Sequence, residues 1–76
     1  MSNYFTYIIT NPAKTVLYIG MTNDLEQRIV EHFLSRGTQR SFAGKHYCYF
    51  LLHFERFLNP IDAIDREKEI KRMSRI

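Results

Sequence analysis

Two ionisable side chains stand one helical turn apart, directly after a tyrosine-bearing strand. In the stretch YIGMTNDLEQRIVEH, residues 18–32, Tyr18 comes first, and Arg28 and His32 follow four residues apart. Residues four apart lie on the same face of a helix. A guanidinium binds phosphate in a bidentate geometry, and an imidazole exchanges protons near neutral pH. The stretch therefore indicates either a phosphate-binding, proton-transferring site or a solvated helical face.

A glutamate near the end of the chain interrupts an apolar helical face. On a helix drawn at about 100° per residue, three of the four nearest neighbours of Glu67 are apolar: Ala63, Ile64 and Ile70. The fourth is Lys71. A carboxylate turned towards a core is costly unless it is paired, hydrogen-bonded or bound to a metal. Glu67 therefore either pairs with Lys71 at the rim of the core or serves as a metal-ligating or catalytic carboxylate.

The elements that must position these residues follow the order β-β-α-β-α. The stretches YFTYIIT (4–10) and TVLYIG (15–20) predict two strands, and Asn11 and Pro12 predict the turn of an antiparallel hairpin between them. Tyr7 and Tyr18 then lie on facing strands. Tyrosines at such positions are usually core residues with a hydrogen-bonded hydroxyl. We therefore expect an α+β fold with a small three-stranded antiparallel sheet flanked by helices.

Capping residues predict where the two helices begin. Asn23 is expected to cap the first helix, with Glu26 completing a capping box, and Gly37 is expected to end it. Asn59 and Pro60 predict the start of the second long helix. Between them, residues 35–46 predict a polar loop. Residues 47–57, YCYFLLHFERF, predict a strand, and their apolar run on both faces predicts a central place in the sheet.

Composition limits the classes of protein further. The 76 residues predict one domain, 1–76. Eleven Lys and Arg against eight Asp and Glu give a formal charge of +3, which favours a polyanionic partner. The first residues do not resemble a signal peptide, and the longest apolar run is too short to span a bilayer, so no membrane partner is expected.

The single cysteine, Cys48, cannot form an internal disulfide, which favours a reducing compartment such as the cytoplasm. We expect it to be a small buried hydrophobe. A zinc site built from His46, Cys48 and His53 is disfavoured, because one cysteine with irregularly spaced histidines is not a structural zinc pattern.

The combination of these residues resembles the GIY-YIG nuclease family. Tyr18-Ile19-Gly20 keeps the second half of the family's name intact, whereas Phe5-Thr6-Tyr7 keeps only the tyrosine of the first half. The spacing from Tyr18 to Arg28 and His32 matches the family's first helix, and REKEIK places Glu67 at the glutamate position. The resemblance covers nearly the whole chain and is strongest to small, stand-alone members.

The resemblance implies metal-dependent hydrolysis of phosphodiester bonds in DNA. Arg28 would bind the scissile phosphate, and Glu67 would hold one divalent ion, Mg²⁺ or Mn²⁺. Tyr7 or Tyr18 would orient or deprotonate the attacking water, although a free tyrosine, with a pKa of about 10, would need Arg28 and the metal to lower that pKa. His32 could instead take the proton or pass it on. These five groups would have to converge on one concave surface.

The implied partner is DNA, including branched or single-stranded forms, in repair or recombination. Gly20 would let backbone approach the phosphate at the helix start. Further cations would line a groove for the DNA backbone: Arg36, Arg40, Lys45, Lys71, Arg72 and Arg75. Two departures stand out, Phe5 in place of the family's first glycine and Met21 where some members have a lysine. The alternative function is a nucleic-acid-binding module that keeps the fold but has lost turnover.

Overall fold

A computed structural model describes residues 3–73 of the chain. Its elements are β1 (Tyr4–Thr10), β2 (Leu17–Thr22), α1 (Leu25–Leu34), α2 (Phe42–Lys45), β3 (Phe50–Phe57) and α3 (Pro60–Met73). The three strands form one antiparallel sheet in the order β2-β1-β3. The predicted α+β class and the three-stranded antiparallel sheet flanked by helices are confirmed.

The first hairpin forms as predicted, and Asn11 organises its turn. The Asn11 side-chain oxygen accepts hydrogen bonds from the backbone N–H groups of Thr15 and Val16, at 2.9 and 3.0 Å. An asparagine that bonds neighbouring backbone in this way stabilises a turn. The predicted β1 bounds are those observed, whereas β2 runs from Leu17 to Thr22 and not over 15–20.

The two faces of the sheet are covered by different helices. On one face, Tyr7 and Ile9 form a buried cluster with Ala43 of α2 and Cys48. On the other face, the hydroxyl of Thr6 donates a hydrogen bond of 2.6 Å to the Ala63 carbonyl of α3. Cys48 is buried, as expected for a small hydrophobe. Successive side chains of a strand point to opposite faces of the sheet, so the side chains of the central strand β1 alternate between the two helical layers.

The third strand is at the edge of the sheet, and its predicted central position was wrong. It begins at Phe50 and not at residue 47, and most of its side chains are exposed. An apolar run indicates burial only when layers exist to cover both faces. Within residues 3–73, the apolar side chains of β3 lack such a cover.

Two further expectations, the N-cap of α1 and the loop at residues 35–46, were wrong. The cap of α1 is Asp24, whose carboxylate accepts a hydrogen bond of 3.1 Å from the backbone N–H of Gln27, and not Asn23. The predicted loop 35–46 contains the short helix α2, capped by Ser41. The first helix ends at Leu34, and Gly37, with φ of 84°, lies beyond it. Asn59 caps α3 and Pro60 is its first residue, as predicted.

The cap of α1 provides a test of its register. Asp24→Ala should lower the free energy of unfolding by about 1 kcal/mol, because an N–H of the first turn loses its acceptor. Asn23→Ala, the matched control, should change it by less than about 0.5 kcal/mol. Urea denaturation of the three proteins measures both effects. A larger loss for Asn23→Ala would place the cap one residue earlier.

Candidate active site

A hydrogen bond between the sheet and α1 joins Tyr7 to His32. The hydroxyl of Tyr7, on the central strand, lies 2.9 Å from Nε2 of His32, in the last turn of α1. Tyr7 is 2 % exposed, so the bond fixes the imidazole from inside the protein. A buried tyrosine whose hydroxyl finds a partner is the arrangement expected of a hairpin tyrosine.

Tyr18 completes an aromatic cluster around the imidazole. Its ring centroid lies 5.4 Å from that of His32 and 6.4 Å from that of Tyr7. The ring of His32 is nearly edge-on to Tyr18, a favourable geometry for aromatic pairs. The structure therefore brings Tyr7, Tyr18 and His32 together from β1, β2 and α1.

Residue 20 must be glycine because the Tyr7 side chain packs against it. Gly20 is the register partner of Tyr7 across the hairpin. A Cβ atom at residue 20 would lie 2.6 Å from the Tyr7 hydroxyl oxygen and 3.0 Å from the ring of Tyr18. No side chain fits there without displacing the cluster. Gly20 thus makes room for the tyrosine, a requirement separate from the approach to phosphate that the resemblance implies.

Arg28 lies one turn before His32 and is held by a neighbouring carboxylate. Its guanidinium is 3.3 Å from Glu31, and both side chains are about half exposed. The two residues line a shallow cleft of about 100 Å³ that also includes Thr22 and Asp24. An exposed pair of this kind contributes at most about 1 kcal/mol. Arg28 can therefore exchange Glu31 for a phosphate at little cost.

Glu67 lies at the rim of the core and pairs with Lys71. The distance between the Lys71 ammonium nitrogen and the Glu67 carboxylate is 3.3 Å, and the glutamate side chain is 21 % exposed. This is the geometry of the ion-pair interpretation, yet a partly exposed carboxylate also remains accessible to a ligand. Among residues 3–73, no three His, Cys, Asp or Glu side chains cluster to hold a metal.

Burial and nearby charges shift the pKa values of Tyr7 and His32. Burial raises the pKa of Tyr7 well above its ordinary value, and the nearby Tyr18, Glu67 and Glu31 add to the rise, whereas Arg28 opposes it. The lowering that a tyrosine base would need is therefore not met at Tyr7. Burial also lowers the pKa of His32, and Arg28 lowers it further, against the opposite effect of Glu31. At neutral pH the pair is a phenol and a neutral imidazole.

The charges of Arg28 and Glu67 both act on the Tyr7 hydroxyl, although neither contacts it through a hydrogen bond in the described residues. Tyr7, Tyr18 and His32 are thus in direct contact, whereas Arg28 and Glu67 act on Tyr7 only through their charges. Their roles stay predictions, because proximity alone assigns none of them.

The predicted DNA-binding cations differ in how they are held. The Arg36 guanidinium lies 3.8 Å from the centroid of the Phe33 ring and donates a 2.7 Å hydrogen bond to the Phe33 carbonyl. Lys71 pairs with Glu67. The side chains of Arg40, Lys45 and Arg72 are exposed, and Arg75 lies outside the described residues.

Sequence reasoning missed the aromatic residue beside Tyr18. Phe42, the first residue of α2, is 52 % exposed. Its ring is near-parallel to that of Tyr18 at 6.5 Å and lies 4.4 Å from the His46 ring. The N-cap signal of Ser41, whose hydroxyl accepts from the Gly44 N–H, was the clue to a helix in this loop. The contact with Tyr18 had no signature in the sequence, because it joins distant segments.

Comparison with known proteins places the chain in a nuclease family. The model of the GIY-YIG catalytic domain matches residues 3–75, and the chain belongs to that family. Three similar curated proteins are named only as UPF0213 proteins. The one from Natronomonas pharaonis is 32 % identical over 97 % of this chain and 84 % of its own length. Those from Pediococcus acidilactici and Haloquadratum walsbyi are each 33 % identical, over 96 % and 99 % of this chain and 74 % and 82 % of their own lengths.

No solved structure matches the chain at a significant level. In the part of the chain that the structure describes, no helix is both long and apolar enough to cross a membrane.

The position of Arg28 predicts the titration of His32. Arg28→Gln should raise the pKa of His32, because it removes the lowering cation and frees Glu31, which acts in the opposite direction. Arg36→Gln is the control, because that guanidinium is held on Phe33. Proton NMR of the imidazole measures the pKa. An unchanged His32 titration in Arg28→Gln would place the two residues apart.

The same shift predicts how stability depends on pH. The pKa of His32 in the folded protein is below the value of about 6.5 in the unfolded chain, so protonation favours unfolding. The free energy of unfolding should therefore lose the His32 contribution as pH falls below about 6.5 and level off below the folded pKa. His32→Gln should reduce this slope in urea titrations at several pH values.

Proposed function

We propose that the protein is a metal-dependent endonuclease that hydrolyses DNA phosphodiester bonds at the surface formed by Arg28, His32, Tyr7, Tyr18 and Glu67. The observation that carries the proposal is the Tyr7–His32 hydrogen bond of 2.9 Å, beside Tyr18. It supplies an oriented proton acceptor one turn from an arginine. Membership in the GIY-YIG family supports a nucleic-acid substrate.

Arg28 supplies the phosphate contact in this proposal. Its guanidinium leaves Glu31 and forms bidentate hydrogen bonds with the scissile phosphate. As the attacking oxygen approaches phosphorus, negative charge grows on the phosphate oxygens, and the fixed cation stabilises it. Exchange of one exposed carboxylate for a phosphate explains why an ion pair in the free protein does not block binding.

His32 is the final proton acceptor. In the tautomer protonated at Nδ1, Nε2 accepts the hydrogen bond of the Tyr7 hydroxyl. The attacking water gives its proton to the Tyr7 oxygen as the phenolic proton passes to Nε2. No phenolate accumulates, as the raised pKa of Tyr7 requires, and the lowered pKa of His32 leaves its imidazole unprotonated at neutral pH and so able to accept the proton. Tyr18, at the edge of the imidazole, orients the water.

The donor set fits a single divalent ion with few protein ligands. Mg²⁺ keeps several waters and is commonly bound by one or two carboxylates together with substrate phosphates. GIY-YIG nucleases generally use divalent metal ions, and Glu67 is the carboxylate of this region that would hold Mg²⁺ or Mn²⁺. Such an ion, when bound, stabilises the charge on the leaving oxygen. In the free protein, Lys71 neutralises the charge of Glu67.

Phe42 favours substrates with unpaired bases. Its half-exposed ring adjoins Tyr18, and the exposed cations Arg40 and Lys45 lie in the same segment. Aromatic rings stack on unpaired bases of any sequence, while cations follow the backbone. Branched or single-stranded DNA presents such bases next to a phosphate, as in repair or recombination. The buried, unpaired thiol of Cys48 favours the reducing cytoplasm as the place of action.

A second candidate function is a nucleic-acid-binding module of the same fold with little or no turnover. The ion pairs Arg28–Glu31 and Glu67–Lys71 favour it, because each neutralises a group that the reaction would use. A binding module needs Arg28 and the loop cations but has no need of Glu67. A substitution of Glu67 therefore distinguishes the two candidate functions.

Glu67→Gln should abolish metal-dependent cleavage in a folded protein. Loss of a carboxylate that holds the ion should cost several kcal/mol of transition-state stabilisation, a rate loss of about 100-fold or more. The partly exposed pair with Lys71 contributes only about 1 kcal/mol of stability. Cleavage of labelled single-stranded and branched DNA with Mg²⁺ or Mn²⁺, thermal melting and DNA affinity are measured together.

Glu69→Gln is the matched control, because Glu69 lies on the same helix but pairs with Arg66. It should keep cleavage. Retained cleavage in folded Glu67→Gln would remove Glu67 from the mechanism. DNA binding without cleavage by the unaltered protein would support the binding module instead.

Phe42→Ala should weaken binding to single-stranded DNA by about 5- to 100-fold, the equivalent of one stacked base. Duplex affinity should change little, and both affinities should fall with rising salt. Phe50→Ala, which removes an equally exposed ring from β3, is the control. Fluorescence anisotropy at two salt concentrations measures the affinities. An equal loss for both variants would exclude a specific stacking position.

A further inference from the structure

Thr6 and Glu55 hold α3 against the sheet from neighbouring positions. The two residues are register partners on β1 and β3, so their side chains lie on the same face. The Thr6 hydroxyl donates its 2.6 Å hydrogen bond to the Ala63 carbonyl. The Glu55 carboxylate accepts from Nε and Nη2 of Arg66, at 3.0 and 3.1 Å. Because Ala63 and Arg66 are three residues apart, both bonds hold the same side of α3.

The bond from Thr6 ends on the carbonyl that also accepts the backbone N–H of Glu67. In an α-helix, the N–H of residue 67 donates to the carbonyl of residue 63, and a carbonyl oxygen has two lone pairs. The Ala63 oxygen therefore joins the Thr6 hydroxyl to the amide of Glu67. Both Thr6 and Ala63 are fully buried, so water does not compete for the bond and its electrostatic strength is high.

The hydroxyl of Thr6 is not required for the core to be filled. Thr6 stands at the isoleucine of the family's name, and an apolar side chain at this position would need no hydrogen-bond partner. A buried hydroxyl is costly unless it is hydrogen-bonded. Thr6 meets this requirement at a helix carbonyl that already has a partner. It therefore provides a directional attachment of α3 to the central strand, which apolar packing does not provide.

The next residue of the same strand holds the imidazole of the candidate site. Tyr7 points to the opposite face of the sheet, where its hydroxyl bonds His32. Consecutive hydroxyl groups of β1 thus hold His32 on one face and the turn that precedes Glu67 on the other. The charge of Glu67 acts on the Tyr7 hydroxyl, so the two groups are within electrostatic reach. The dipeptide Thr6-Tyr7 therefore relates the imidazole to the carboxylate.

We infer that Thr6 is a positioning residue, whose hydroxyl fixes the turn of α3 that carries Glu67 and so sets the place of that carboxylate relative to Tyr7. The inference deepens the proposed function and rests on it for its effect on cleavage. Thr6 acts through the Ala63 carbonyl and contacts neither substrate nor ion.

Two substitutions separate the hydroxyl of Thr6 from its shape. Thr6→Val removes the donor and keeps the shape, and the protein should stay folded because the Ala63 carbonyl keeps its helical partner. The Glu67 amide should then exchange with deuterium about 2- to 10-fold faster, the equivalent of one lost hydrogen bond. Thr6→Ser keeps the donor and should preserve the exchange rate, although it loses a buried methyl group. Exchange is followed by NMR, and urea denaturation gives the stability of each protein.

Ile70→Val is the matched control. Ile70 is also buried on α3, and the loss of one methylene lowers stability without removing the bond from Thr6. Once the rates are corrected for global stability, this variant should leave exchange of the Glu67 amide unchanged. Equal acceleration in Thr6→Val and Ile70→Val would overturn the inference, and so would an acceleration in Thr6→Ser as large as that in Thr6→Val.

Cleavage kinetics test the consequence for the site. In Thr6→Val, kcat should fall by about 10- to 100-fold, because a displacement of about 1 Å at a reacting group has an effect of this size. KM for DNA should change little, because Arg28 lies on α1 and is not disturbed. Thr6→Ser should keep kcat. A lower melting temperature of Thr6→Val with unchanged kcat would show a purely structural role and overturn the inference.

Failure of the proposed function gives a different result. If the unaltered protein does not cleave DNA with Mg²⁺ or Mn²⁺, the proposed function is wrong. The exchange rates of the Glu67 amide then still decide whether Thr6 fixes this turn of α3, because they need neither metal nor substrate.

Discussion

The hydrogen bond between Tyr7 and His32 is the constraint around which the rest of the site is arranged. It links the central strand to the last turn of α1. Gly20 must lack a side chain so that the Tyr7 ring can lie over it, and Tyr18 closes the cluster from β2. The buried hydroxyl of Tyr7 is tolerated because the half-buried imidazole of His32 satisfies it. Burial then keeps the tyrosine protonated and the histidine neutral.

Two charged residues near this pair, Arg28 and Glu67, are held in ion pairs within the chain. Arg28 forms an ion pair with Glu31, and Glu67 forms one with Lys71. Both pairs are at least partly exposed, so their net stabilisation is small. In the proposed enzyme, a phosphate and a divalent ion exchange with these internal partners, and the fold need not rearrange. A site of this type fits a domain with a small core, since it requires few buried charges.

The sheet has one central strand that carries a candidate site residue, Tyr7, and one edge strand, β3, with several exposed apolar side chains. The hydroxyl of Thr6 fixes α3 against the middle of β1, so the layer that carries Glu67 is positioned by the same strand that carries Tyr7. In contrast, β3 contributes no side chain to the candidate site. On β3, His53 is hydrogen-bonded to Glu55, and Glu55 also accepts hydrogen bonds from Arg66 of α3.

Local patterns in the sequence determined the hairpin, the cap and first residue of α3, the fold class and the family. Turn residues, β-branched strands and capping residues act through neighbours in the chain, so their signals are local. The spacing of Tyr18, Arg28 and His32 indicated one helical face for the same reason. Tertiary structure decided that β3 lies at an edge, that Asp24 and not Asn23 caps α1, and that Phe42 adjoins Tyr18. Strand order and contacts between distant segments depend on how layers pack, and a one-residue shift of a helix start depends on where the preceding strand ends.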